Sequence, residues 1–117
     1  MPHPPYKDHP LWREAMALVE AAYALSEQAK SAAPTVARHL RKVVVTVPSS
    51  LADALADEPE REIVENRQRA LGALAEVERQ TLFLPPELAG DGDALARRAR
   101  SLYRDVARLL TEVKEFS

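Results

Sequence analysis

Apolar side chains recur every three or four residues along almost the whole 117-residue chain, and this period constrains the fold more than any other feature. Its hardest test is the segment RKVVVTVPSS, residues 41 to 50, where four valines and a threonine run into a proline in the manner of a β-strand entering a turn. The valines lie within a longer series, Val36, Leu40, Val43, Val44, Val47, Leu51, Ala54 and Leu55, which falls within about 120° on a helical wheel. A strand confined to Val43 through Val47 would leave Leu40, Leu51 and Leu55 without a purpose, and no other segment offers it a partner strand. The segment is therefore expected to be helical. Pro48 cannot donate to the carbonyl of Val44, so a kink is expected near it, with Thr46, Ser49 or Ser50 supplying side-chain hydrogen bonds. Val45 falls between Arg38 and Arg41 on the outer face, where an apolar residue gains nothing unless something covers it.

The same spacing predicts three further helices. Residues 1–10 hold four prolines and no helical period, and read as an extended or disordered arm. From Leu11 to about Lys30, the positions Trp12, Ala15, Val19, Ala22, Tyr23 and Ser26 share one face. A second series, Leu11, Leu18 and Leu25, repeats every seven residues beside it and widens the apolar surface enough to suggest an oligomer interface that also takes in Val45. Pro34 is suited to opening the second helix, where its missing N–H would be unpaired anyway. A third is expected from near Pro59, preceded by Glu58, with a stripe of Ile63, Ala70, Leu71, Leu74, Val77, Thr81 and Leu82. LPPELAGDGD, residues 84 to 93, reads as a loop. A fourth helix follows, with Leu95, Ala99, Leu102, Val106, Leu109, Val113 and Phe116 on one side. The expected fold is all-α, residues 11–117 forming an antiparallel up-down-up-down four-helix bundle whose second helix is kinked near Pro48.

Composition narrows the functional classes. The absence of cysteine removes disulfides, thiolate metal sites and Cys nucleophiles, and a reduced cytoplasmic setting is expected. No apolar run approaches membrane-spanning length. His3, His9 and His39 form no Glu-x-x-His pair of the kind that builds bundle metal sites, and no serine sits in a nucleophile elbow. No catalytic residue, cofactor or metal is therefore expected. A net charge of −2 is not that of a general nucleic-acid binder, so any such binding must come from local patches. The strongest is on the fourth helix, where Arg97, Arg100, Arg104 and Arg108 lie within about 80° of one another with Arg98 beside them, interrupted by Asp105. Arg38, Arg41 and Lys42 form a second patch on the second helix. Glu78 edges an apolar stripe and is expected to pair with Arg41 or Lys42 on a neighbouring helix. The competing reading of the fourth-helix patch is a solvated helix face, since stacking aromatics are not interleaved with the arginines there.

Three ordered motifs carry a family resemblance. YKDHPLWREAM, residues 6 to 16, resembles an aromatic-x-Asp-x-x-aliphatic-Trp-x-x-Ala-Met opening. LRKVVVTVPSSLADA, residues 40 to 54, is similar to a signature in which Leu40, Arg41, Val45, Pro48, Ser49 and Ala52 match outright. GALAEVE, residues 72 to 78, keeps Gly72, Leu74, Glu76 and Glu78 of a third. Together they resemble the four helix bundle protein family encoded within intervening sequences of bacterial large-subunit ribosomal RNA genes. The chain departs from the pattern at Val43 and Val44, where the family has alanines, at Ser50, where it has asparagine, and at Ala54, where it has glycine. The resemblance implies a left-handed bundle often assembled as a homopentamer. A relative, the accessory variability determinant of diversity-generating retroelements, implies RNA or DNA and a reverse transcriptase as partners. A protein-binding scaffold without nucleic-acid binding is the alternative expectation.

Overall fold

The computed structural model describes the backbone of residues 6–55 and 60–116 and the side chains of residues 6–55 and 61–109. Within them the chain is all-helical, with no strand: α1 spans Pro10–Ala29, α2 Pro34–Val44, α3 Thr46–Ala54, α4 Glu60–Thr81 and α5 Ala89–Phe116. Short 3-10 helices at Tyr6–Asp8 and Pro86–Leu88 precede α1 and α5. Helix α4 packs against α5, α3 and α2, while α1 packs against α2, α5 and α3. The core runs between them and includes Ala15, Leu18, Leu40, Val47, Leu74 and Leu102.

The opening motif is folded. Residues 6–10, read as the end of an extended arm, are instead a 3-10 helix and the first residue of α1; residues 1–5 lie outside the described part. The Tyr6 ring meets Trp12 edge-on with centroids 5.3 Å apart. The Leu11 N–H donates to His9 Nδ1 at 3.1 Å, so His9 caps α1, and Arg13 Nε donates to the Lys7 carbonyl at 3.2 Å. Local contacts thus use the aromatic, His and Trp of that motif to start a helix that opens on Pro10.

The valine segment is helical on both sides of Val45. Helix α2 ends at Val44, α3 begins at Thr46, and Val45 itself keeps helical angles, φ −69° and ψ −19°. The interruption falls three residues before Pro48, and there is a physical reason for that position. Ending α2 at Val44 places Pro48 in the first turn of α3, where the first N–H groups have no helical acceptor and a proline sacrifices nothing. Pro48 is buried there, and Val47 and Leu51 are completely so. The expected side-chain bonds from Thr46, Ser49 and Ser50 are not among the described hydrogen bonds; the Ser49 backbone N–H reaches the Val45 carbonyl instead, at 3.4 Å.

Two boundaries differ from expectation. Residues 89–93, read as loop, form the first turn of α5, so the connection after α4 is shorter than the motif LPPELAGDGD suggested. Gly92 is buried in that turn, and a Cβ there would lie 2.7 Å from Leu84 Cδ1, which rests over it. The glycine admits a close approach that its poor helix propensity had concealed. Leu82, assigned to the α4 stripe, lies beyond the helix and is 78% exposed.

Gly72 has the opposite character: it is exposed in the middle of α4, with nothing within 4 Å of a built Cβ. Replacement by Ala is expected to stabilise the protein by about 0.5–1 kcal/mol, raising Tm by about 2–5 °C in a calorimetric scan. An unchanged or lower Tm would show that the open space at Gly72 is filled in solution.

Candidate nucleic-acid interface

All five α5 arginines, Arg97, Arg98, Arg100, Arg104 and Arg108, are exposed, but they divide into two sets. Arg98 Nη2 lies 3.7 Å from Glu14 Oε1 on α1, and Arg100 Nε donates to Glu78 Oε1 on α4 at 3.0 Å. These two flank α5 and face its neighbours. Arg97, Arg104 and Arg108 have no ion-pair partner among the described residues. Their spacings of seven and four bring them within about 40° of one line, along about 16 Å of helix. Asp105, read as an interruption, is half-buried and lines a shallow cavity of about 270 Å³ with His9, Pro10, Leu11, Arg108 and Leu109. It therefore sits to one side of the arginine line.

The Glu78 pairing is a correction. Its partner is Arg100 of α5, not Arg41 or Lys42 of α2, because the edge of the apolar stripe on which Glu78 lies is the one α4 turns toward α5. The two side chains keep 58% and 33% of their exposure, so the pair contributes at most about 1 kcal/mol. A double-mutant cycle of Glu78→Ala with Arg100→Ala should give a coupling of a few tenths of a kcal/mol, and one of Glu78→Ala with Arg41→Ala none. Coupling found only with Arg41 would reinstate the original pair.

Arg38, Arg41 and Lys42 are exposed on α2, but the fold does not bring them to the α5 arginines. Helices α2 and α5 do not share a packed interface; α1 and α4 each pack against both and separate them. Lys42 instead lines a cleft of about 280 Å³ with His39, Val43, Thr46 and Glu76. The Glu76 carboxylate accepts from Arg79 Nη2 at 2.6 and 2.8 Å and from Gln80 Nε2 at 2.8 Å. The Arg79 hydrogen bond, then that of Gln80, holds its carboxyl below the ordinary range.

The suggested interface leucines are a second correction. Leu18 and Leu25 are 1% and 3% exposed within the single chain, and Leu11 packs against the same core. Leu18 and Leu25 therefore have no surface to offer a second copy, while Leu11 keeps part of its own. Tyr23, from the other α1 series, is 44% exposed instead. Val45 does point outward, at 40% exposure.

Sequence reasoning missed Arg67 altogether. It is 1% exposed, the largest of the fully buried side chains. The signal was present: Ile63, Arg67, Ala70, Leu71 and Leu74 occupy consecutive slots of one helical stripe, and Arg67 fills the gap in it.

Among the described residues no three His, Asp or Glu side chains are grouped to hold a metal ion, and no helix is long and apolar enough to cross a membrane. No family model matches the chain, and neither a curated protein nor a solved structure matches it.

Proposed function

We propose that the protein is a non-enzymatic four-helix-bundle protein of the ribosomal RNA intervening-sequence type, acting in the cytoplasm as an oligomeric accessory or scaffold that associates with RNA or DNA. In this reading the four helical runs alternate in direction, α2 and α3 together forming a second helix kinked at the Val45–Pro48 segment. The observation that carries the nucleic-acid reading is the line of Arg97, Arg104 and Arg108, three exposed guanidinium groups with no ion-pair partner among the described residues. Guanidinium groups in such a line can each approach a backbone phosphate and release a bound counterion. A homopentamer, implied by the sequence resemblance, would repeat the line around a ring, and a reverse transcriptase would be a fitting protein partner. Fluorescence anisotropy with a labelled single-stranded RNA and a duplex DNA tests this, with log K expected to fall linearly with log salt concentration. No binding of either at low salt would end the reading.

A protein-interaction scaffold without nucleic-acid binding is the second reading. It is favoured by the outward Val45, Tyr23 and Tyr103 and by the exposed pair Leu82 and Phe83. Recovery of one stoichiometric protein partner, insensitive to nuclease, would support it over the first.

A further inference from the structure

The arginine line of α5 has two unlike shoulders. On the side of α1, Asp105 shares its shallow cavity with His9 and Leu11, and a carboxylate there repels a phosphate chain. On the side of α4, a cleft of about 300 Å³ opens between the two helices, lined by Leu74, Ala75, Glu78, Ala99, Arg100 and Tyr103. Leu74 and Ala99 are buried and give it an apolar floor, while Tyr103 keeps 40% of its surface exposed. Arg100 joins the cleft to the line, since a step of about 100° per residue sets it about 60° from Tyr103 and about 40° from Arg104. The aromatic ring missing from the arginine face itself therefore stands beside it, across one guanidinium group. The clefts lined by Asp91 and Arg98 and by His39 and Glu76 hold no Phe, Tyr or Trp ring.

We propose that the α4–α5 cleft captures an unpaired base of a single-stranded nucleic acid, the base stacking on Tyr103 while its flanking phosphates lie along Arg97, Arg104 and Arg108. This deepens the reading of the line as a nucleic-acid interface and rests on it. A cationic track with an aromatic platform at its side is what single strands require, because they present bare base faces that a duplex keeps covered. The volume of the cleft, about 300 Å³, is at the small end for ligand pockets and suits one planar ring system rather than a base pair. The Glu78–Arg100 hydrogen bond engages one carboxylate oxygen and Nε. The second carboxylate oxygen then accepts from a base amino group, and the guanidinium Nη groups donate to base acceptors.

The test is fluorescence anisotropy at low salt with three labelled ligands: an oligothymidylate, an equally long strand whose central bases are replaced by abasic sites, and a duplex of the same length. The first two carry the same phosphate charge and differ only in their bases. Wild type is expected to bind the intact strand about 5- to 100-fold more tightly than the abasic one. Tyr103→Leu is expected to lose that difference and leave duplex affinity unchanged, while Tyr103→Phe, which keeps the ring, retains it. Equal affinity of the wild type for intact and abasic strands overturns base capture and leaves the arginine-line reading standing. This comparison needs no variant, so it decides the matter even if Tyr103→Leu does not fold. A base preference that survives Tyr103→Leu, a Phe variant as weak as the Leu variant, or an equal loss on the duplex likewise overturns stacking in this cleft. No binding of any of the three ligands overturns both the inference and the reading on which it rests.

Discussion

Replacing Leu18 by Ala is expected to lower the unfolding free energy by about 2–5 kcal/mol and the Tm by about 10 °C or more. Leu18 is 1% exposed within one chain and belongs to the same cluster as Leu40, Val44, Leu74 and Leu102, so truncation loses its transfer free energy and leaves a cavity among residues that can only partly close it. A domain of this size is stable by about 5–15 kcal/mol in total, so the loss is a large share of the whole. The same substitution separates two roles for the heptad leucines. Loss of a core contact lowers Tm by the same amount at every protein concentration, whereas loss of a subunit contact weakens association and makes Tm depend on concentration. Denaturation at micromolar and at hundredfold higher concentration distinguishes them; a Tm drop that vanishes at the higher concentration would return Leu18 to an interface. Tyr23→Ala, on the exposed neighbouring series, is expected to cost far less in the monomer.

The second large effect is functional. Reversing Arg104→Glu together with Arg108→Glu is expected to weaken RNA or DNA binding by about 100-fold or more at moderate salt and to reduce the slope of log K against log salt by about 2. Both side chains are exposed, so Tm should stay within about 2 °C of wild type, which separates lost binding from lost folding. Arg100 is a poorer choice, because its reversal would place a like charge 3.0 Å from Glu78. Undiminished affinity after the double reversal would remove α5 from the interface. Loss of binding only on reversal of Arg38, Arg41 and Lys42 would transfer the interface to α2.

Much of the helical layout was legible in the residues. The three-and-four spacing from Val36 to Leu55 decided against a strand, because periodicity over twenty residues outweighs the β-propensity of a few valines, and the structure is helical on both sides of Val45. Pro34 opens a helix as its fixed φ allows. These are local properties, set by neighbours within one turn, and a sequence carries them in full.

What required the tertiary structure was every choice between alternatives of equal local merit. Two adjacent apolar series run along α1, and only the positions of α2, α3 and α5 around it decide that Leu18 and Leu25 turn inward while Tyr23 stays at the surface. Glu78 had cations available on two neighbouring helices; its distance to Arg100 settles the pair, and Coulomb attraction depends on distance in space rather than on spacing along the chain. Gly90 and Gly92 read as loop residues, yet packing of Leu84 over Gly92 accompanies a helix that propensity alone would begin later. The sequence offered basic patches on α2 and α5 without their relative positions, and the fold sets α1 and α4 between them. Arg67 shows the limit most sharply: its period placed it in the core and its charge placed it outside, and only the enclosing helices determine that the period prevails.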